Sequence, residues 1–443
     1  MELKRFLLDE LYHWAQSKDR KPLLLQGARQ TGKTWLLKTL GKTAFKYLCY
    51  IDFAKSTQWI ELFNRTRDPK IILETIRAVS DVPIEPNNTL IVFDEIQFCE
   101  SAFGALKYFA EEYPEYAIAA SGSLLGLAIK KKSIFVPVGF VDIKEVTPLS
   151  FAEFLFNTSP KIYSFIESFT DLTSGLPEVI TTKLIYEFRR YQCVGGLPAI
   201  VSALLDGTAM TTIDEKIRNL LNLYVYDFSQ YTTPAEANRI GLLWNSLPSQ
   251  LAKENKRFFF SSISKNARSR EYLAAEQWLA TAGLVIPVTR VSSARIPLAA
   301  YKETEFFKLY LFDIGLLRVM SKMSVETVLT ESQNYKEFKG ALTENCVAIS
   351  LARALGYSPN YWASGNRAEV DFLIEVGNNV CPIEVKAGTS VRARSLSVFA
   401  EKFSPQLSVR FSMLPLSLKG HLLNIPLPLT DWSLKWIKQS LST

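Results

Sequence analysis

A glycine-rich segment from Gly27 to Thr34 reads GARQTGKT and lies between a short apolar run and a stretch that favours a helix. Gly27 and Gly32 let the backbone curl so that its N–H groups face an anion, and the positive end of the following helix adds to that field. Lys33 would reach the β- and γ-phosphates of a nucleotide, and the Thr34 hydroxyl would ligate magnesium. The segment therefore predicts a P-loop that binds ATP. The nucleotide contacts expected along it are Gly27, Ala28, Arg29, Gln30, Thr31, Gly32, Lys33, Thr34 and Trp35.

An acidic pair closes a second apolar run, TLIVFDE, which is typical of a strand buried on both faces. Asp94 is expected to hold the magnesium ion and Glu95 to activate the attacking water. A chance acidic pair at a strand end is the alternative. Farther along, Ser121 or Ser123 follows a third strand, and we favour one of them, Ser121 in the first place, as a contact for the γ-phosphate. The alternative there is an ordinary polar turn.

A second set of charged residues lies near the C-terminus. Glu344 falls in a stretch with the pattern of an amphipathic helix. Asp371 lies on the first strand of a predicted hairpin, and Glu384 and Lys386 share one face of its second strand. This D…E-x-K order resembles the restriction-endonuclease-like (PD-(D/E)xK) superfamily. The resemblance implies catalytic Asp371, Glu384 and Lys386, with Glu344, Asp371 and Glu384 binding Mg²⁺ or Mn²⁺. The alternatives are a site kept only for binding and a hairpin of solvated charges.

Five segments occur in a fixed order along the chain: GARQTGKTWLL, IVFDEIQ, SGSLLG, PLSFAEFL and VGGLPAIV. Together they resemble the prokaryotic AAA-type P-loop ATPases that carry a C-terminal nuclease-like domain of unknown function, and the resemblance covers nearly the whole chain. Ala28 stands where that family usually has proline, and Thr31 stands where it often has valine. Neither departure should disturb phosphate contact. A helical lid beside the nucleotide is what the resemblance implies for the middle of the chain.

The elements that must position these residues indicate an α/β fold. Strands near 23–26, 47–53, 89–93 and 116–120 alternate with helical stretches, which predicts a parallel sheet flanked by helices with its ligand at the carboxyl ends of the strands. We expect four domains in order: a P-loop ATPase core at 1–155, a helical lid or connector at 156–250, a winged-helix domain at 251–325 and a restriction-endonuclease-like domain at 335–443.

The middle of the chain holds a basic segment, with six basic and two acidic residues from Lys253 to Glu271. Lys265, Arg268 and Arg270 would lie at the start of the second helix of a winged helix, where they could contact DNA phosphates. A winged helix that contacts protein is the alternative. Arg189 and Arg190 are adjacent, but a solvated helix face explains them as well, so neither is assigned as an arginine finger.

Composition narrows the remaining classes. The chain has 443 residues and a formal net charge of +7, which permits a nucleic-acid partner without requiring one. Five dispersed cysteines without a CxxC pair, and only two histidines, argue against a disulfide framework, a structural zinc site and chemistry that needs paired histidines. No secretory signal or membrane-spanning run is evident, so we expect a cytoplasmic protein without a membrane partner. An oligomer is compatible with the sequence.

Two classes of function follow from these residues. The first is an ATPase that acts on DNA and also has divalent-metal-dependent endonuclease activity in its C-terminal domain. The second is an ATP-dependent regulatory switch that binds DNA or protein without cleaving either. A P-loop kinase for a small molecule is a weaker third class, because Glu95 directly after Asp94 is typical of a water-activating ATPase.

Overall fold

The computed structural model describes residues 3–123, 139–171, 175–253, 257–258, 269–330, 336–365, 368–389 and 394–442. The chain divides into two compact units. The N-terminal unit comprises Lys4–Pro148 and Thr281–Gly283. The C-terminal unit comprises Met1–Leu3, Leu149–Ala280 and Leu284–Thr443. The division into four domains stays a prediction.

The N-terminal unit is built on a five-stranded sheet in which every neighbouring pair is parallel, as the sequence predicted. Its strands are β1 (Leu23–Gly27), β2 (Tyr47–Asp52), β3 (Thr89–Asp94), β4 (Ala117–Ser123) and β5 (Asp142–Glu145). Their order across the sheet is β2-β3-β4-β1-β5. Its helices are α1 (Leu7–Gln16), α2 (Lys33–Ala44), α3 (Thr57–Arg65), α4 (Pro69–Val79) and α5 (Glu100–Glu112), with a 3₁₀ turn at Ile96–Phe98.

Strand β3 explains why this sheet is covered on both faces. Successive side chains of a strand point to opposite sides. Leu90 and Val92 belong to the hydrophobic cluster that includes residues of α1 and α2. Ile91 and Phe93 belong to the cluster that includes residues of α3, α4 and α5. The continuous apolar run therefore places Asp94 at the end of a strand that is fully buried.

The C-terminal unit contains helices around an eight-stranded mixed sheet, ordered β12-β13-β11-β10-β9-β8-β6-β7. Its strands are β6 (Val285–Val291), β7 (Lys302–Leu311), β8 (Asn360–Ala363), β9 (Glu369–Val376), β10 (Asn379–Val385), β11 (Ser408–Ser412), β12 (Ser417–Lys419) and β13 (Leu422–Pro426). Its helices are α6 (Phe151–Thr158), α7 (Pro160–Ser168), α8 (Glu178–Val194), α9 (Pro198–Leu205), α10 (Met210–Tyr231), α11 (Pro234–Leu251), α12 (Ser269–Thr281), α13 (Ile314–Met320), α14 (Val325–Thr330), α15 (Lys336–Leu355), α16 (Arg394–Phe403) and α17 (Ser433–Ser442).

Strands β6 and β7 join the same sheet as the C-terminal strands. They pair with each other in antiparallel fashion, and β6 also pairs with β8 in parallel. Both strands fall within residues 251–325, the range predicted for a winged-helix domain. In the structure their hydrogen bonds continue directly into the sheet that carries Asp371 and Glu384, so these two strands are not separated from the C-terminal strands.

Helix α15 differs from its predicted pattern. The helix forms as expected, but every residue from 341 to 350 is buried, so its middle has no solvent-facing side. Its polar positions are matched by polar groups instead. Asn345 accepts a hydrogen bond from the Leu311 N–H at 2.8 Å and donates one to the Leu311 carbonyl at 2.9 Å. Buried polar groups need such partners, and here they make a polar helix face compatible with the core.

The glycine pair of the VGGLP segment is explained by close packing. Gly195 has φ +74°, and a Cβ there would lie 2.2 Å from an Asp313 carboxylate oxygen. The same carboxylate accepts the Gly196 N–H at 2.8 Å and caps α13 by accepting the Leu316 N–H at 3.0 Å. Burial raises the pKa of Asp313 to about 6. The two glycines thus let one buried carboxylate join α8 to α13.

Candidate functional site

The predicted P-loop connects β1 to α2 in the expected strand–loop–helix order. Gly27 has φ +149°, and a Cβ at this position would lie 2.3 Å from the Val146 carbonyl oxygen. Gly32 has φ +95° and is the N-cap residue of α2. Both glycines are therefore required by backbone conformation or by close contact. The loop ends at the positive end of a 12-residue helix, where an anion is favoured.

Arg5 supports the loop from outside the motif. This buried guanidinium donates to the Thr31 carbonyl at 2.8 Å and to the Thr147 carbonyl at 2.7 Å. The Thr31 hydroxyl donates to the Ala28 carbonyl at 2.9 Å, a bond that valine could not form. Sequence reasoning missed Arg5, because no spacing rule connects it to a loop that lies more than twenty residues away.

Lys33 is turned toward the carbonyl groups of its own loop. Its ammonium donates to the Gly27 carbonyl at 3.0 Å and to the Ala28 carbonyl at 2.7 Å. Burial lowers the pKa of Lys33 to about 8, although the negative charges of Glu95 and Asp94 oppose that shift. The side chain is thus held within the loop that it is predicted to serve.

Asp94 collects hydroxyl groups from three different strands or helices. The Thr34 hydroxyl donates to its Oδ2 at 2.8 Å, and the Tyr50 hydroxyl donates to the same oxygen. The Ser121 hydroxyl and the Glu95 N–H donate to Oδ1, the latter at 3.1 Å. Burial and the neighbouring Asp94 carboxylate raise the pKa of Tyr50, which keeps it a hydrogen-bond donor. Sequence reasoning missed Tyr50.

The two serines at the end of β4 are therefore different. Ser121 contacts Asp94, as described above, whereas Ser123 pairs with Gly27 in the β1–β4 register. The contact of Ser121 places it beside the predicted magnesium ligand. Its role at the γ-phosphate stays a prediction.

The oxygen atoms of Thr34 and Asp94 fit a magnesium ion. Mg²⁺ prefers oxygen ligands, and nucleotide sites commonly supply only one or two protein oxygens because phosphate and water complete the coordination. The two side chains are in direct contact, with 2.8 Å between Oγ1 and Oδ2. Among the described residues there is no group of three or more histidine, cysteine or acidic residues that could hold a metal ion alone.

Glu95 is held by Gln97, a residue that sequence reasoning did not single out. Glu95 adopts φ +53° at the start of the 3₁₀ turn. The Gln97 amide donates a hydrogen bond to the Glu95 carboxylate. Gln97 is only 5% exposed, and its amide oxygen makes no hydrogen bond to the described residues. One end of this amide thus orients Glu95, while the other end is a buried acceptor with no partner in the part of the chain that the structure describes.

The C-terminal residues predicted for catalysis do come together. The hairpin pairs Ile383 with Phe372, which places Asp371 across from Glu384. The Val385 N–H donates to Asp371 Oδ2 at 2.8 Å. The predicted turn lies between the end of β9 and the start of β10. This register confirms the predicted hairpin, with Asp371 on its first strand and Glu384 opposite it on the second.

Glu384 and Lys386 form an ion pair, with 2.5 Å between Lys386 Nζ and Glu384 Oε1. Burial raises the pKa of Glu384, and the Lys386 ammonium opposes that shift. For Lys386, burial lowers the pKa, but the contact with Glu384 outweighs it and the pKa is raised. The second carboxylate oxygen of Glu384 is buried and makes no hydrogen bond to the described residues.

Lys308 and Glu369 are charged residues of this region that sequence reasoning missed. Lys308 lies on β7 and is fully buried. Its Nζ is 2.7 Å from Glu369 Oε1, 3.4 Å from Glu344 Oε1 and 3.8 Å from Asp371 Oδ1. Tyr310, two residues along the strand, donates to Glu344 Oε1. Burial lowers the pKa of Lys308, but the surrounding groups outweigh it and hold the pKa well above its usual value.

We call these residues the C-terminal charged cluster. Its members are Lys308, Glu344, Glu369, Asp371, Glu384 and Lys386. The Lys308 ammonium lies 3.4 Å from Glu344 Oε1 and 3.8 Å from Asp371 Oδ1, where the nuclease-like site was expected to hold a divalent cation. The metal-binding role of these carboxylates and of Glu384 stays a prediction.

Other residues singled out in the sequence have different outcomes. Arg190 forms an ion pair with Glu187 at 3.0 Å, and Arg189 donates to the Leu329 carbonyl at 3.4 Å. Lys265, Arg268 and the side chain of Arg270 lie outside the described residues, so the basic turn of the winged helix stays a prediction. Among the described helices, none combines the length and the apolar character needed to cross a bilayer.

Three protein-family models match separate segments of the chain. Residues 19–155 match AAA_14, described as an AAA domain. Residues 185–327 match DUF8612 and residues 339–430 match DUF4143, and both are described as domains of unknown function. The restriction-endonuclease-like assignment therefore stays a prediction. No curated protein matches the chain.

Several solved structures are similar to parts of this chain. The Walker-type ATPase PABY2304 of Pyrococcus abyssi is 14% identical, with a TM-score of 0.42, over 72% of this chain and 96% of that one. The ORC2 protein of Aeropyrum pernix is 13% identical, with a TM-score of 0.32, over 75% of this chain and 95% of that one. PCH-2 of C. elegans is 14% identical, with a TM-score of 0.29, over 48% of this chain and 68% of that one. Similarities of this size carry no argument about function.

The AAA match spans the loop at Gly27–Thr34, the strand that ends at Asp94 and the strand that carries Ser121. These elements carry the P-loop, the hydrogen bonds to Asp94 and the contact between Ser121 and Asp94. Residues 19–155 form an AAA-type P-loop ATPase domain, and this homology supports both binding and hydrolysis of ATP.

Proposed function

We propose that this chain is a magnesium-dependent ATPase that works as a switch, in which nucleotide state controls binding of DNA or a protein partner. The observation that carries the ATPase proposal is the arrangement around Asp94. Its carboxylate receives the Thr34 and Ser121 hydroxyl groups, and Glu95 follows it directly. These are the groups needed to hold a metal–nucleotide complex and to activate water beside it.

In the proposed mechanism, the backbone N–H groups of the loop and the start of α2 bind the phosphates. Lys33 exchanges its contacts with loop carbonyls for contacts with the β- and γ-phosphates. Thr34 and Asp94 would hold Mg²⁺, which neutralises phosphate charge when it is bound. Ser121 keeps Asp94 in position through its hydrogen bond, and we propose that it also contacts the γ-phosphate. Glu95 accepts a proton from the attacking water.

We propose binding without cleavage for the C-terminal unit. The support is that Lys308 already supplies a positive charge among the carboxylates, where a nuclease would need a metal. The formal net charge of +7 is compatible with DNA as that partner, and a protein partner is the alternative.

The test combines ATP turnover and plasmid cleavage in the same tubes. Turnover should require Mg²⁺, stop with EDTA, and change when double-stranded DNA is added, while the plasmid stays intact in Mg²⁺ and in Mn²⁺. Plasmid cleavage that is lost in Asp371→Ala would overturn the non-cleaving proposal. Turnover that persists in EDTA would overturn the magnesium-dependent ATPase.

Gln97 should act as a positioning residue for Glu95. The Gln97→Leu variant keeps a similar volume but removes the hydrogen bond to the Glu95 carboxylate. We expect kcat for ATP hydrolysis to fall by about 10-fold while KM for ATP is unchanged, because only the orientation of the base is lost. Steady-state kinetics measure both constants. A matching loss in kcat and in ATP affinity would instead assign Gln97 a general structural role.

A further inference from the structure

We infer that Lys308 is a built-in cation that takes the place of a metal ion in the C-terminal charged cluster. The inference concerns the C-terminal unit and does not depend on ATP hydrolysis. It assigns the cluster to a class of nuclease-like sites that are neutralised from within and bind no divalent cation.

The carboxylates around Lys308 are arranged as the ligands of a cation would be. Three acidic side chains from two elements approach one ammonium: Glu344 from α15, and Glu369 and Asp371 from β9. The two residues from β9 are two positions apart, so they share one face of the strand. A cation at this point is what their geometry requires, and the lysine provides it.

Lys308 and its partner Glu344 are also both buried. Lys308 has no exposed surface, and Glu344 is almost completely buried. An isolated buried ammonium would be strongly disfavoured, as would an isolated buried carboxylate, and the two compensate only as a pair. The Lys308 ammonium also lies 5.1 Å from the centre of the Tyr361 ring, which favours a cation at the same place. The lysine is therefore an integral part of the core.

The remaining members of the cluster are engaged in a second pair. Glu384 contacts Lys386 at 2.5 Å, and Asp371 receives a backbone N–H as well as the approach of Lys308. A divalent ion bound by Asp371 and Glu344 would have to lie next to the Lys308 ammonium, and the like charges would repel at such short range. Of the three carboxylates predicted to bind the metal, Glu344 and Asp371 are thus approached by Lys308, and Glu384 is approached by Lys386 through one oxygen while its other oxygen makes no hydrogen bond to the described residues.

Replacing a metal ion by an ammonium limits the chemistry that the cluster can perform. Metal-dependent phosphodiester hydrolysis needs the ion to activate water and to polarise the phosphate. An ammonium can offset negative charge but cannot coordinate a water molecule as a Lewis acid. The cluster therefore provides a charged, buried structural centre for a unit that binds and does not cut.

Direct measurement of Mn²⁺ binding tests the inference on the full chain. Bound Mn²⁺ is measured without nucleotide by electron paramagnetic resonance, for the unsubstituted protein and for Asp371→Asn. Any ion held by the N-terminal unit is common to both proteins and cancels in the comparison. We expect no difference in bound Mn²⁺. Loss of about one Mn²⁺ per chain in Asp371→Asn would overturn the inference, since it would show a metal at the cluster.

A lysine replacement gives the converse test. Lys308→Met removes the charge with little change in volume, and it leaves Glu344, Glu369 and Asp371 without this cation. We expect its thermal unfolding temperature to be lowered in EDTA and to rise on addition of Mn²⁺, because a divalent ion can then enter. Lys302→Met is the matched control, because Lys302 is an exposed residue of the same strand. It should show neither effect.

The Mn²⁺-binding measurement and the Lys308→Met unfolding measurement together decide whether Lys308 takes the place of a metal. A Lys308→Met protein that folds and gains no Mn²⁺-dependent stabilisation would contradict the inference. If that variant fails to fold, the comparison of the unsubstituted protein with Asp371→Asn still decides whether a metal binds. ATP turnover, measured in parallel, is expected to be present in the Asp371→Asn protein, so failure of the ATPase proposal would be seen separately.

Discussion

The Glu95→Gln variant is expected to bind ATP normally and to hydrolyse it at least about 100-fold more slowly, the scale of a lost general base. Glutamine keeps the size and the hydrogen-bonding capacity of the side chain, so the phosphate contacts of the loop and the Asp94 hydrogen bonds should be unaffected. The carboxylate that would accept a proton from water is the group that disappears. Turnover at saturating Mg²⁺ and ATP, together with binding of a fluorescent nucleotide, separates these two quantities.

Glu100→Gln is the matched control, because Glu100 is an exposed acidic residue five positions later, at the start of α5. It should hydrolyse ATP at the unsubstituted rate. Normal hydrolysis by Glu95→Gln would show that a different group activates water, and the hydrogen bond from Gln97 would then need another explanation.

The Lys33→Ala variant is expected to lose tight ATP binding, and turnover with it. The geometry of the loop holds this ammonium next to the phosphate-binding backbone, with donor bonds to the Gly27 and Ala28 carbonyls. Alanine removes the charge that would meet the β- and γ-phosphates. It also leaves the Gly27 and Ala28 carbonyl oxygens facing the bound phosphate without a cation between them. Isothermal titration with Mg²⁺ and a non-hydrolysable ATP analogue measures the loss.

Lys42→Ala provides the comparison for this variant, since Lys42 is an exposed lysine in the last turn of the same helix. Its ATP affinity should match that of the unsubstituted protein. Thermal unfolding of both variants without nucleotide shows whether the loop itself is damaged. If Lys33→Ala were stable and still bound ATP tightly, the loop would have to bind phosphate through backbone groups alone.

Local patterns were sufficient to predict the strand–loop–helix element at Gly27–Thr34 and the buried strand that ends at Asp94. The loop glycines, Lys33 and Thr34 occupy fixed offsets because backbone conformation and phosphate geometry act over a few residues. The apolar run ending at Asp94 predicted a strand buried on both faces, and the parallel order of β1, β3 and β4 followed from strands that alternate with helices. The hairpin of β9 and β10 was predictable for a similar reason, because its glycine-containing turn sets the register.

Side-chain contacts between residues that are far apart in the sequence could not be predicted from such patterns. Arg5, Tyr50 and Lys308 each act through contacts with residues many positions away, and no periodicity links a residue to a partner on another strand. Gln97 lies within a recognised segment, but only the left-handed backbone at Glu95 turns its amide toward that carboxylate.

The sequence by itself determined the loop expected to bind phosphate and the hairpin that carries Asp371, Glu384 and Lys386, since both depend on short-range spacing. Only the tertiary structure decided that β6 and β7 extend the C-terminal sheet, and that β7 brings Lys308 among those acidic residues. The physical reason is that a buried carboxylate needs a positive partner, while the chain can supply that partner from any strand that packs against it.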